Sequence, residues 1–467
     1  MRRLFLVPIA TVLIATMPIP ASATTSTSCT FDSGSATVTA TVGSGASPTL
    51  ERSGETITFD GSSCGTATVT NTDAITVSAP DVATSEGLTI SIAGGQFAPG
   101  KTPEADGNDE IEITINLAET EPLTVRGSDG PDDLAMSGKW IDLTVGRVGE
   151  FEAVRTVMTA NSPSILIGAG GDDHLWTAQK YEFTSFAPIS DVRGGPGDDT
   201  IEPAMYAPSS YDGGSGTDTI RYAAANGIIL HATASGSGTV DRGGGGIDAI
   251  TDVEHFVGSP SNDTFYGSQD GDWFDGGRGS DWFLPWGGDD HVSGGDEYDT
   301  MTVGASTRAV TFDLTAKTAI GEGADTFDGV EILQGSPTDD VFMGDPELAG
   351  VLVLDGEGGT DLLDLRTAES GQTVYTSDIA YGPGALVVVG IPHIIGSPFR
   401  DKFSVYQVAV DGGSVRFSGR GGHDVLIGGP RRDVLEGGPG DDKLDGKGAI
   451  DTCTGGPGTD SLLHCEL

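Results

Sequence analysis

A period of nine residues runs through this chain, and it restricts the fold more tightly than any other feature of the sequence. Residues 258–302 divide without remainder into GSPSNDTFY, GSQDGDWFD, GGRGSDWFL, PWGGDDHVS and GGDEYDTMT. Residues 419–463 divide the same way into GRGGHDVLI, GGPRRDVLE, GGPGDDKLD, GKGAIDTCT and GGPGTDSLL. Every unit has Asp at its sixth position: Asp263, Asp272, Asp281, Asp290, Asp299, Asp424, Asp433, Asp442, Asp451 and Asp460. Every unit has an apolar residue at its eighth: Phe265, Phe274, Phe283, Val292, Met301, Leu426, Leu435, Leu444, Cys453 and Leu462. A flexible linker has no reason to keep an apolar side chain two places after each Asp.

The first six positions are rich in Gly and Asp, which predicts a tight turn with residues at positive φ. The last three make a minimal strand whose eighth side chain alone points inward. Two units then complete one flattened coil, and stacked coils place the turns in two columns on opposite edges. Neighbours within a column are units n and n+2. Asp carboxylates and backbone carbonyls converge between such turns, which suits a hard cation taking six to eight oxygens at about 2.3–2.6 Å. Without the cation the stacked carboxylates repel, so folding and ion binding are expected to be coupled.

These units resemble the RTX, or hemolysin-type, calcium-binding nonapeptide G-G-x-G-x-D-x-U-x. Single copies carry the resemblance further: GSDGPDDLA from Gly127, GAGGDDHLW from Gly168, GGPGDDTIE from Gly194, GGSGTDTIR from Gly213, GSPTDDVFM from Gly335, GEGGTDLLD from Gly356 and GSPFRDKFS from Gly396. The resemblance implies an all-β chain, a right-handed parallel β-roll or β-helix solenoid, with several Ca2+ ions in its turns. The expected metal residues are Asp132, Asp173, Asp199, Asp218, Asp263, Asp272, Asp281, Asp290, Asp299, Asp340, Asp361, Asp424, Asp442 and Asp460. Asp433 and Asp451 are left out on physical grounds. Their units replace the fourth-position Gly with Arg431 and Ala449 and add Arg432 and Lys447. Cations beside a cation site oppose binding, so the second block is expected to bind mainly along the edge of Asp424, Asp442 and Asp460.

A longer repeat overlies the short one: DVEHFVGSP from Asp252, GVEILQGSP from Gly329 and GIPHIIGSP from Gly390 each lead into a nonapeptide. Between blocks, GIILHATAS and AVTFDLTAK alternate apolar and polar residues at strand spacing and are expected to form wider coils without turn-borne ions. The expected organisation is a signal segment over 1–23, a β cap or initial coils over 24–126, and irregular solenoid over 127–257. The tandem block 258–302, wider coils over 303–418, and a second block with its cap over 419–467 follow. Arg2, Arg3, the apolar run from Leu4 to Met17 and the Ala21-Ser22-Ala23 end fit a secretory signal, which places the chain outside the cell. Four cysteines in an exported chain read as two disulfides. Of three connectivities, Cys29 with Cys64 and Cys453 with Cys465 needs the least chain reach.

Charge and missing motifs narrow the function. The net charge is −45, with 48 Asp and 21 Glu, which disfavours nucleic acid and anionic membrane surfaces as partners. No HExxH is present, and the serine-rich Gly loops lack the strand-to-helix context of a nucleophile elbow, so neither a zinc protease nor a serine hydrolase is indicated and no catalytic residue is assigned. The expected role is a secreted calcium-binding structural or surface-interaction protein. Trp273, Trp282 and Trp286 are the candidate contacts to a cell-surface glycan or protein. The alternative is a calcium-dependent polysaccharide-active β-helix enzyme, a lyase or epimerase. Its basic candidates, Lys101, Lys139, Arg155 and Lys180, are scattered along the chain.

Overall fold

The computed structural model describes residues 26–79, 87–98, 100–102, 111–117, 122–137, 140–145, 153–155, 164–177, 189–203, 209–223, 225–243, 246–377, 385–406 and 413–466. The expected signal segment, Lys139 and Lys180 lie outside them. Among the described residues the chain is almost entirely β, with long ladders of parallel strands: a β-roll solenoid. The n to n+2 stacking is explicit. Strand Thr264–Tyr266 pairs in parallel with Trp282–Leu284, and Trp273–Arg278 with His291–Asp296. The eighth-position side chains fill the space between the two sheets: Phe265, Phe274, Phe283, Val292 and Met301 are fully buried. Leu462 departs from this rule at 42 % exposure. Its strand, Ser461–Leu463, has a parallel neighbour on one side only, Lys443–Asp445.

The N-terminal strands continue the same stack. Leu88–Ser91 pairs in parallel with Leu123–Arg126, which pairs with Ser164–Ile167. A separate four-stranded sheet, which includes Thr37–Thr41, Ala74–Ser78 and Glu112–Asn116, lies in this region. One apolar core runs from Val38 to Cys453. Both disulfides form the local pairs, Cys29 with Cys64 and Cys453 with Cys465.

The stretches expected as wider coils take another form. Ile229–Ala234, Ser237–Asp241 and Ile247–Thr251 make an antiparallel meander, and so do Thr311–Asp313, Thr318–Ile320 and Ala324–Asp328. In each, the first strand pairs in parallel with the following coil and the third with the preceding one. Alternation at strand spacing does not distinguish a long coil from a hairpin. The turn does: Gly236 at φ 68° and Lys317 at φ 57° reverse the chain.

Candidate metal centre

The sixth-position aspartates form a hydrogen-bonded ladder along each edge. Each backbone N–H donates to Oδ1 of the Asp one coil further on. Along one edge Asp132 donates to Asp173 (2.8 Å), Asp173 to Asp199 (2.7 Å) and Asp199 to Asp218 (2.7 Å). On the opposite edge Asp263 donates to Asp281 (2.7 Å) and Asp281 to Asp299 (2.8 Å). In the second block Asp401 donates to Asp424 and Asp424 to Asp442, both at 2.8 Å, and Asp442 to Asp460 at 3.0 Å. The carboxylates therefore hang inside the turn column, fixed by one oxygen each.

The other oxygen separates two kinds of turn. Where the unit begins Gly-Ser, the serine N–H donates to the Asp Oδ2 of its own turn: Ser128 to Asp132, Ser259 to Asp263, Ser268 to Asp272, Ser336 to Asp340 and Ser397 to Asp401. In all but the Ser268 turn, the serine hydroxyl also donates to Oδ1. In most other units the second residue sits at positive φ and its N–H turns away from the Asp: to a carbonyl of the next coil at Ala169 (94°) and Gly438 (106°), and to the preceding Asp355 and Asp445 at Glu357 and Lys447. Oδ2 then has no donor. Asp173, Asp199, Asp218, Asp281, Asp290, Asp299, Asp361, Asp424, Asp442 and Asp451 each bury an unpartnered Oδ2.

Leaving a buried carboxylate oxygen unpaired costs several kcal/mol, so this pattern asks for a cation. The first glycine of most units borders the gap, and Pro285 takes its place before Asp290. A Cβ on Gly276 would stand 2.2 Å from Asp281 Oδ2 and 2.7 Å from the Gly294 carbonyl oxygen; one on Gly437 would stand 2.4 Å from Asp442 Oδ2 and 2.6 Å from the Gly455 oxygen. Carboxylate and carbonyl oxygens on a gap open only to glycine are the donor set of a hard divalent ion. Among the described residues no three His, Cys, Asp or Glu side chains converge on one point, so the backbone oxygens are an essential part of any such site. The residues present fit calcium.

Electrostatics agree with this. Burial pushes the Asp173 carboxyl up to about 8 and those of Asp218, Asp281 and Asp424 to about 7. Asp199, Asp299 and Asp361 rise to about 6 for the same reason. Asp290 is also raised by burial, with Asp325 beside it. The chain therefore holds a column of carboxyls that resist ionising until a positive charge is supplied.

The expected list thus divides. Asp132, Asp263, Asp272 and Asp340 sit in Gly-Ser turns, whereas Asp173, Asp199, Asp218, Asp281, Asp290, Asp299, Asp361, Asp424 and Asp442 carry the open oxygen. Asp460 accepts the N–H of Asp442. Asp451, expected to stand apart, has the open oxygen as well, and the ammonium of Lys447 is turned to Asp445 at 2.9 Å. Asp433 is clasped by the Gly429 N–H at 2.6 Å, in the manner of a Gly-Ser turn. Sequence reading missed Asp248 and Asp325, which occupy ladder positions in the third strand of each meander. Ser209 N–H donates to Asp248 Oδ1 and Asp290 N–H to Asp325 Oδ1. The unit GGGGIDAIT from Gly243 held the missed signal for Asp248.

The aromatic side chains lie outside the ladders. Trp273 is 45 % exposed and packed between the imidazoles of His255 and His291, at centroid distances of 4.1 and 4.5 Å. Trp282 meets Tyr266 edge-on, and Trp286 is exposed in a turn.

Comparison with known families follows this geometry. A family model, the RTX calcium-binding nonapeptide repeat, matches four copies over residues 242–283 and 418–453. The chain carries RTX repeats. RTX repeats bind several calcium ions, and this is a calcium-binding repeat protein. No curated protein is similar enough to match the chain. Among the described residues no helix is long and apolar enough to cross a membrane.

Proposed function

We propose that this is a secreted protein whose solenoid folds as it takes up calcium and whose outer faces make structural or cell-surface contacts. The observation that carries the reading is the set of buried Oδ2 atoms without a donor in successive turns. Asp173, Asp199, Asp218, Asp281, Asp290, Asp299, Asp424, Asp442 and Asp451 would hold the ions, with carbonyl oxygens of neighbouring turns. A bound ion would supply positive charge and oxygen coordination. The chain's own contribution is to fix each carboxylate through Oδ1 and to keep the gap clear with glycine. Export is supported by the N-terminal sequence and by two disulfides, which persist in oxidising surroundings.

Far-UV circular dichroism and titration calorimetry test the reading directly. Calcium is expected to raise β content with multiple-ion binding, and the absence of both at millimolar calcium would overturn it. Mass spectrometry of exported protein should give Thr24 as the first residue. For the surface role, alanine at Trp273, Trp282 and Trp286 should abolish binding to cell wall or glycan while calcium-dependent folding stays intact. Unchanged binding would remove the aromatic side chains from that role.

A further inference from the structure

Three short segments share a pattern that the nonapeptide does not describe. Asp252-Val253-Glu254, Gly329-Val330-Glu331 and His464-Cys465-Glu466 each begin with a residue at φ near 50–60°: 50° at Asp252, 60° at Gly329 and 48° at His464. Each ends with a Glu in the ladder position. Asp218 N–H donates to Glu254 Oε2 at 2.7 Å, Asp299 N–H to Glu331 Oε2 at 3.0 Å and Asp451 N–H to Glu466 Oε2 at 2.8 Å. In each case the Glu takes the place that the following Asp holds in an ordinary gap.

The rest of the gap is reproduced too. Asp218, Asp299 and Asp451 are fully buried, and each has an unpartnered Oδ2. The carbonyl that lines an ordinary gap is also supplied. A Cβ on Gly213 would stand 2.0 Å from the Asp252 oxygen, one on Gly294 2.0 Å from the Gly329 oxygen, and one on Gly446 2.4 Å from the His464 oxygen. These are the counterparts of the Gly294 oxygen beside Gly276 and the Gly455 oxygen beside Gly437.

We infer that Glu254, Glu331 and Glu466 each complete one further divalent-cation site, closing the last gap of a ladder with a glutamate. This inference rests on the calcium reading of the Asp ladders. The segment from Gly390 is the natural contrast. It has the same positive φ (67°) and a buried Ile391, but Pro392 stands in the Glu position after Asp361. The gap above Asp361 therefore lacks a carboxylate from its second wall and holds no ion of its own.

Sequence order gives these segments a second role. Glu254 is followed by Gly258-Ser259, Glu331 by Gly335-Ser336, and Pro392 by Gly396-Ser397. The serine turn clasps its own Asp, so a new ladder begins there with both oxygens already bonded. Stop and start are thus adjacent in sequence and lie on opposite edges, since Asp218 and Asp263 precede strands of different sheets. The cation sites fall into separate sets.

The test is calcium stoichiometry on the full chain by equilibrium dialysis with metal analysis, alongside circular dichroism in saturating calcium. Glu331→Gln and Glu466→Gln keep an acceptor for the ladder N–H, so the backbone is retained. Each is expected to lose one ion per molecule, and Pro392→Glu to gain one. Glu357→Gln, at an exposed turn residue, should leave the count unchanged. A full wild-type count in the folded Glu→Gln variants would overturn the inference. Should Glu331→Gln fail to fold, Pro392→Glu decides: an added ion supports the inference and an unchanged count overturns it. If the wild-type chain bound no calcium at all, the broader reading would fail instead, which keeps the two outcomes apart.

Discussion

The two antiparallel meanders, built on Ile229–Ala234 and on Thr311–Asp313, are inserted into the solenoid in the same way but on different sheets, and they treat their ladder carboxylate differently. In the first, Asp248 is fully buried and bonded to the guanidinium of Arg242 at 2.9 Å, with Tyr222 Oη donating to its other oxygen at 3.1 Å. In the second, Asp325 faces Asp290 with no such partner; burial raises the carboxyls of both meanders, but only at Asp248 does a guanidinium oppose the rise. Gly321 follows the middle strand there, where Arg242 follows it in the first meander. One layer of the solenoid thus carries its own positive charge, covalently attached, which the corresponding layer lacks.

Removing calcium should produce the largest effect and expose the contrast most sharply. With chelator, amides of the 258–302 and 419–463 blocks should lose hydrogen-exchange protection together, because each uncompensated carboxylate costs about 3–5 kcal/mol. Amides of Ser237–Asp241 and Ile247–Thr251 should keep more of theirs. Equal loss in both regions would break the comparison.

Next in size is Arg242→Met, which leaves Asp248 buried without its counter-charge. A loss of about 3–5 kcal/mol is expected from urea unfolding in saturating calcium. A loss below 1 kcal/mol would show that Asp248 is neutral in the native state.

A further effect follows from pH. Folded carboxyls that titrate at about 7 to 8, at Asp173, Asp218, Asp281 and Asp424, compare with about 4 in an unfolded chain. Between these values the folded state binds more protons, so calcium-free stability falls as pH rises. Chelated protein should show stronger β ellipticity at pH 5 than at pH 8. Calcium should reverse the order, since ions and protons compete for the same oxygens.

The smallest effect separates the meanders by sign. Asp325→Asn removes one of two adjacent buried acids and should stabilise chelated protein by about 1 kcal/mol. Asp248→Asn strands Arg242 and should destabilise it. Equal signs in thermal melts would show that the guanidinium is not the cause.

Much of this architecture is legible in the sequence because a nine-residue phase places Asp and apolar residues at fixed points of a coil. The buried Phe265, Phe274 and Phe283 follow from phase alone. Less visible is what depends on which way one peptide N–H points. Ser259 and Gly277 hold the same second position, yet the serine turns its N–H to its own Asp263 and the glycine joins the strand pairing with the next coil. Gly-Ser and Gly-Gly look interchangeable in a motif, and only the turn conformation shows which turns satisfy the carboxylate, the Gly-Ser ones and the Gly428-Gly429 turn of Asp433, and which leave it open. Asp248 and Asp325 were hidden for another reason: their layers interrupt the register, so counting by nines from either block does not reach them.

The ladder has a direction. In every rung the donor N–H belongs to the earlier coil and the accepting carboxylate to the later one. A chain that stacks from its N-terminal end therefore always leaves an unused N–H at the growing face, a weak and neutral defect. Stacking from the other end would leave, outside the Gly-Ser turns and that of Asp433, a carboxylate with neither oxygen bonded at each step. The order in which residues leave a ribosome is the order in which each new carboxylate meets a donor already in place for its Oδ1.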